Sequence, residues 1–349
     1  MILRHRKKAL LAPLVLVAVG LAIAAGCGDD DSASGETAGG GGGDSTLTLV
    51  GYTTPREVYE QVIPDFQATP AGEGIDFEQS YGPSGDQSRA VEAGLDADVL
   101  ALSLAPDIDR LVEPGIVDAN WASGPTKGFV SNSIVVFAVR KGNPKNIQTW
   151  DDLVKDDVEV ITPNPFTSGG AQWNIGAAYG AQLAQGKSKQ EALEYLQQLF
   201  ENVPVQPKGA RESLQVFTAG KGDVLLAYEN EAITAQQAGE DVDYVIPDQT
   251  ILIQNPIAAT ATSGNPTAAK AFVDYALSQP AQEVFAAKGY RSVDPTVAKA
   301  NASTYPDPPG LFEIDAIGGW KAFKDEFFEP DTGIMADIFA GRGFSQEDE

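Results

Sequence analysis

The sequence predicts an α/β chain folded into two lobes joined by two extended crossovers. Three observations lead there. Strand-like and helix-like segments alternate along the chain, separated by short turns rich in Gly, Pro, Ser and Thr; this implies parallel sheets covered by helices on both faces. The foldable part begins near Leu47 and runs for about 300 residues, more than one hydrophobic core usually holds. Two long apolar stretches, near residues 131–139 and 245–257, have the character of strands that pass between lobes.

The elements follow in order. Thr46–Val50 alternates apolar and polar residues and reads as the first strand. In Gly51-Tyr-Thr-Thr-Pro-Arg-Glu57, Thr54 is placed to cap a helix, Pro55 suits its first position, and Glu57 completes a Thr-x-x-Glu box. Val58, Val62 and Phe66 then form an apolar stripe. A second strand over Ile75–Gln79 leads to Tyr81-Gly-Pro-Ser-Gly-Asp-Gln87, where Ser84 and Gln87 are the two halves of another capping box. Further strands are expected at Asp98–Leu102, Ser133–Val139, Asp157–Thr162, Asp223–Tyr228 and Tyr244–Asn255. Helices are expected to open at Ser168-Gly-Gly170, Gly209-Ala210 and Glu229, and to cover Thr267–Leu277 and Pro280–Lys288.

The N-terminus speaks for export. Arg4, Arg6, Lys7 and Lys8 precede an apolar run from Ala9 to Ala25 that ends in small residues, the pattern of a signal peptide over residues 1–26. Leu21-Ala-Ile-Ala-Ala-Gly-Cys27 resembles a bacterial lipobox, which implies lipidation of Cys27 and a membrane anchor. Cys27 is the only cysteine, so the fold needs no internal disulfide. The Gly-, Ser- and Asp-rich residues 27–46 form a flexible tether.

Charge and composition exclude several functions. The net charge of -25 at pH 7 repels nucleic acid, and no basic stripe offsets it. The only histidine, His5, lies in the signal, so the exported chain builds neither a Ser-His-Asp site nor an ordinary zinc site. No G-x-x-x-x-G-K-[ST] loop is present, so the chain is not a transport ATPase. No cofactor is expected.

Four turns share one design, a strand end followed by small or capping residues and a helix: Thr53-Thr54, Pro83-Ser84-Gly85, Ser168-Gly169-Gly170 and Gly209-Ala210. Each helix start leaves unpaired N–H groups and a partial positive charge, which suits an anion. These residues by themselves indicate a binder of an anion or small molecule.

Several segments taken together resemble the bacterial periplasmic sulfate-binding protein family. They are Gly51–Gln61, Tyr81–Gly85, Ala97–Ala105, Phe137–Lys145, Val160–Pro165, Thr167–Ala171, Gly209–Arg211, Gly222–Ala232 and Gly318-Gly-Trp320. The resemblance implies a two-lobe periplasmic-binding-protein fold of type II. In such a fold a dehydrated sulfate, or thiosulfate, is held between the lobes by uncharged donors. The donors so implied are the main-chain N–H of Thr53, the hydroxyl of Ser84, and the main-chain N–H groups of Ser168, Gly169, Gly170 and Ala210. Tyr228 stands where the family usually has a Trp indole, Thr53 where it has Asp, and Gln172 where it commonly has Arg. None of the four turns is expected to aim a carboxylate at the anion, Asp86 serving its helix dipole instead.

The resemblance also implies partners: a membrane permease and a separate ATPase of an ABC importer, served by a monomeric protein that does no chemistry on its ligand. The expected division is lobe 1 at 47–131 and 258–325, lobe 2 at 132–257, and a C-terminal extension at 326–349, whose acidic end from Gly343 is expected to be disordered. Two alternatives stay open, a carrier of another oxyanion such as molybdate and an extracellular carboxylate-dependent hydrolase. The hydrolase would need two carboxyl groups converging in the cleft.

Overall fold

A computed structural model of the chain describes residues 45–346. The expected signal peptide, Cys27, nearly all of the tether and the last three residues of the acidic tail lie outside the described residues.

The first half runs β1 (Ser45–Tyr52), α1 (Arg56–Gln67), β2 (Ile75–Gly82), α2 (Ser84–Glu92), β3 (Val99–Ala101) and α3 (Ala105–Asp109), and leaves through β4 (Phe129–Arg140). The second half holds β5 (Val160–Ile161), α4 (Gly169–Ala184), α5 (Lys189–Glu201), α6 (Ala210–Thr218), β6 (Val224–Tyr228), α7 (Glu229–Gln237) and β7 (Val242–Val245). The chain returns through β8 (Gln249–Ala259) to α8 (Pro266–Ala276), α9 (Gln279–Ala287), β9 (Arg291–Ser292) and α10 (Pro295–Ala300). It ends with β10 (Gly310–Phe312), α11 (Gly319–Phe327) and α12 (Ile334–Arg342).

The two long strands carry the architecture. In β4, Phe129–Ile134 pairs antiparallel with β8, while Val135–Val139 pairs with β6. In β8, Leu252–Pro256 pairs with β4, while Ile257–Ala259 pairs with β3. Each strand therefore starts in one sheet region and finishes in the other. The sheets are consequently mixed rather than all parallel. β1 is parallel to β2 and β3, β5 to β6 and β10 to β8, but β4 meets β6 and β8 antiparallel, as β8 meets β3.

Separate cores lie on either side. Leu47, Leu49, Val58, Tyr59, Val62, Phe66, Val99, Phe272 and Phe285 pack together in the first half. Phe137, Trp150, Trp173, Leu196, Phe200 and Val224 pack in the second. The stripe on α1 is buried as its 3.6-residue period requires, and α8 and α9 cover the same core.

The end of the chain departs from the expected boundary at 325. From Phe312 onward Ile314, Phe323, Phe327, Met335 and Phe339 join the second core, with Phe344 packed against it. α4 makes this possible. It is rich in Gly and Ala and is buried on all sides. A Cβ on Gly180 would lie 2.3 Å from the Phe312 ring, so glycine is what lets β10 approach. The Gly318-Gly-Trp320 motif gains a reason here. Gly318 and Gly319 adopt left-handed φ of 102° and 79°, which turns Trp320 edge-on to Trp173 at 4.5 Å.

Two expected caps are not formed. α1 starts on Pro55 without a side-chain cap, because Glu57 is drawn into an ion pair with Arg211 at 2.5 Å. α2 likewise starts on Pro83: Ser84 turns to Asp107, and the Gln87 amide donates to Ser80. Ser168 does cap α4, accepting from the Ala171 N–H. Among the described residues no helix is long and apolar enough to cross a membrane.

Candidate functional site

The residues singled out in sequence meet along one buried seam between the two halves. Thr53, Ser84, Ser168, Gly169, Gly170 and Tyr228 are all buried, and Ala210 is half-buried. Ser168-Gly169-Gly170 opens α4, Gly209-Ala210 opens α6, and Tyr228 ends β6 just before α7. Each helix has at least two full turns, so its first N–H groups carry the dipole's positive end. Thr53 sits between β1 and α1, next to Tyr52, whose ring centroid is 6.4 Å from that of Tyr228.

A small cavity of about 10 Å³ lies where Gly170, Ala210 and Tyr228 converge, with Asn174, Ser213 and Glu231 completing its polar wall. That is room for roughly one water molecule. No lysine or arginine lines it. Glycine is needed at the seam for different degrees of closeness. A Cβ at Gly169 would fall 2.9 Å from both the Ser103 hydroxyl and the Leu104 side chain, whereas one at Gly170 would meet Tyr228 at an ordinary 3.6 Å.

Ser103 is the residue that the sequence reading missed. Its hydroxyl lies 2.6 Å from the Tyr228 hydroxyl. Its carbonyl accepts from the Trp173 indole at 3.0 Å and from the Asn255 amide at 3.1 Å. Burial pushes the Tyr228 phenol well above its usual range, so it stays protonated. Two hydroxyls hold two protons and share one bond, which leaves one proton to offer elsewhere. Tyr228 therefore acts as half of a hydroxyl pair, not as a lone replacement for an indole. The signal was present in Ala97–Ala105, a segment quoted for its resemblance but read only as a strand.

Ser84 is differently employed from the expectation. Its hydroxyl donates to Asp107 at 2.6 Å and accepts the Ser103 N–H at 2.9 Å. The expected absence of a carboxylate near the four turns also needs correction: Asp107 is buried against Ser84, and Glu231 lines the cavity. Burial raises the Glu231 carboxyl to about 7, opposed by its hydrogen bond from the Tyr228 N–H and by the Arg211 charge. Asp86, the carboxylate weighed in sequence, pairs with Arg89 and, at 3.5 Å, with Lys208.

Further bonds close the seam. The Gly85 N–H donates to the Thr167 carbonyl at 3.2 Å, Arg89 donates to the Phe166 carbonyl at 3.3 Å, and Arg211 pairs with Glu57. The arrangement can surround a small acceptor-rich guest with main-chain N–H groups and one hydroxyl, without a formal counter-ion at the cavity wall.

Residues 47–291 match the family model of bacterial extracellular solute-binding proteins. The sulfate-binding protein of Synechococcus elongatus is 42% identical over 295 residues, covering 81% of this chain and 83% of that one. This chain belongs to the sulfate-binding protein family. The solved structure of the sulfate-binding protein SubI from Mycobacterium tuberculosis superposes with a TM-score of 0.80 at 44% identity, covering 82% of this chain and all of the other. A thiosulfate-binding protein of Pseudomonas aeruginosa is 33% identical, covering 83% of this chain and 91% of that one. The fold is the two-lobe α/β fold of periplasmic binding proteins, and the family is extracellular.

Proposed function

We propose that the protein captures sulfate, or the related dianion thiosulfate, between its lobes and delivers it to the permease of an ABC importer powered by a separate ATPase. The carrying observation is the convergence of the α4 and α6 N-termini with the Ser103–Tyr228 hydroxyl pair on one cavity that no cation lines; at about 10 Å³ that cavity has to widen, by a movement of the lobes, to take a sulfate. The names of the relatives support the ligand class.

The proposed contacts are the N–H groups of Thr53, Gly169, Gly170 and Ala210, with hydroxyl donation from the Ser103–Tyr228 pair; the expected donors Ser84 and Ser168 stand behind this set, because the Ser84 hydroxyl donates to Asp107 at 2.6 Å and the Ser168 N–H to the Asn164 carbonyl at 2.9 Å. Hydrogen bonds to a charged group contribute roughly 1.5–3 kcal/mol each, and micromolar affinity needs about 8 kcal/mol net. Five such bonds contribute about 7.5–15 kcal/mol before anion dehydration is subtracted, which spans that requirement.

In this reading the protein is a monomeric carrier and no enzyme, exported by residues 1–26 and held at the membrane by a lipid on Cys27 through the 27–46 tether. Lobe 1 comprises 47–131 and the returning chain through α10, and lobe 2 comprises 132–257 together with the chain from Gly310. Calorimetric titration with sulfate, thiosulfate, phosphate and molybdate tests the ligand. Sulfate or thiosulfate should bind at micromolar concentration and molybdate weakly; tighter binding of molybdate or phosphate would overturn the assignment. Mass spectrometry of the exported protein tests the lipid, since a diacylglyceryl mass on Cys27 is required.

A further inference from the structure

We propose that Trp320, in the Gly318-Gly319-Trp320 turn near the end of the chain, is a positioning residue for the anion site, acting through Trp173 and Ser103 on Tyr228. The proposal rests on the reading that the seam binds a sulfate-like dianion.

The Gly-Gly-Trp motif supplies nothing to the cavity wall. Its two successive left-handed glycines, a backbone that a residue with a side chain adopts only under strain, serve to present the Trp320 ring. That ring is half-buried and lines a cleft of about 570 Å³, whereas Phe323 and Phe327 on the same helix are fully enclosed. Trp320 therefore sits at the margin of the core. It meets Trp173 edge-on, with centroids 4.5 Å apart, nearer than Phe323 at 6.1 Å.

Trp173 does more than fill space. Its indole N–H donates to the Ser103 carbonyl at 3.0 Å, a bond that runs from α4 in the second half to the end of β3 in the first. An indole has a single proton in the plane of its ring, so the orientation of the ring decides whether the bond is made. An edge-to-face neighbour is what fixes that orientation.

Ser103 passes the constraint on. Its N–H donates to the Ser84 hydroxyl at 2.9 Å, and its carbonyl accepts from Trp173 and, at 3.1 Å, from Asn255 on β8. Two donors on different elements fix the direction of the carbonyl; with the indole gone, it is free to turn toward Asn255 alone. The Ser103 hydroxyl lies 2.6 Å from that of Tyr228, and so short a bond is sensitive to small shifts of either group. Tyr228 lines the cavity. Loosening at Trp320 is thus felt at the site as a misdirected hydroxyl pair, although Trp320 never touches the anion.

Calorimetric titration of sulfate, with thermal melts on the same samples, tests this chain of contacts. Trp320→Leu keeps apolar bulk but removes the ring; it should weaken sulfate binding about fivefold, the worth of one ordinary hydrogen bond. Trp320→Phe should bring affinity back to within twofold of the parent. Trp173→Phe, which keeps a ring and loses the N–H, should cost as much as Trp320→Leu. Two backgrounds separate positioning from packing. With Trp173→Phe or Ser103→Ala already in place, Trp320→Leu should change affinity by less than twofold while still lowering the melting temperature. In the parent background, a lowered melting temperature with affinity within twofold would mean packing alone and would overturn the proposal. A fivefold loss that persists with Ser103→Ala would overturn it as well. If Trp320→Leu gives no cooperative melt, Trp173→Phe decides: affinity within twofold of the parent overturns the proposal, and a fivefold loss supports it. A parent that binds no sulfate overturns the functional reading and this proposal with it; a parent that binds while a folded Trp320→Leu is silent overturns this proposal alone.

Discussion

Substituting Gly169 by alanine isolates closure of the lobes from their folding. The added Cβ would lie 2.9 Å from the Ser103 hydroxyl oxygen, 2.9 Å from Leu104 Cγ and 3.0 Å from Ser103 Cβ. All three contacts are far inside ordinary van der Waals range, and all reach from the second half of the chain to the first. Overpacking of this kind costs about 1–3 kcal/mol. With the lobes apart the methyl group meets none of these atoms, so the cost falls on the closed state alone. Alanine is also a better helix residue than glycine at the start of α4, which keeps the isolated lobe at least as stable. Sulfate affinity should therefore drop by about 5- to 150-fold, at tenfold per 1.4 kcal/mol, while the melting temperature without ligand stays within about two degrees. Calorimetric titration and a thermal melt on the same sample read both quantities. An affinity within twofold of the parent would refute the reasoning, since it would mean that the Gly169–Ser103 approach is not part of the ligand-bound state.

Gly170→Asp places a carboxylate in the cavity wall opposite Tyr228, where a Cβ has room and the fold is not strained; sulfate affinity should fall at least about 100-fold with an unchanged circular dichroism spectrum. Glu231 predicts a pH dependence of stability. Its folded-state value is raised from 4.5 to about 7 by burial, so between those limits the folded protein holds a proton that the unfolded chain has released. Stability falls as pH rises through that window and levels off above it, by at most about 3 kcal/mol. Urea melts from pH 4.5 to 8 should show this decline, and Glu231→Gln should flatten it. The Glu229–Arg291 pair is buried on both sides at 2.7 Å and ties α7 to β9, with Arg291 also holding the Pro306 carbonyl. Arg291→Ala leaves the Glu229 carboxylate without its partner and should cost about 3–5 kcal/mol in denaturant unfolding.

Local rules made much of the fold legible. The apolar period of Val58, Val62 and Phe66, the Ser168 cap and the glycines at the starts of α4 and α6 depend on residues within a turn of one another. The lengths of β4 and β8 likewise marked the crossovers. The capping boxes at Thr54 and Ser84 failed for a shared reason. A side chain that can cap locally can also bond a distant partner, and Glu57 and Ser84 found Arg211 and Asp107. The 16-residue, Gly- and Ala-rich helix α4 carried no amphipathic stripe, because it is buried on every side, and so gave no hint that β10, α11 and α12 pack against the same core.

Sequence alone determined the α/β alternation, the helix starts that gather N–H groups, and the absence of any histidine beyond His5 and of any thiol beyond Cys27. These follow from neighbours a few residues apart or from composition. Tertiary structure decided which hydroxyls share a proton, which carboxylates lie in the seam, and which cations pair across it. Ser103 meets Tyr228 across 125 positions, and Glu57 meets Arg211 across 154. No local pattern encodes such pairs, because each is set by how two independently packed cores come together along the strands they share.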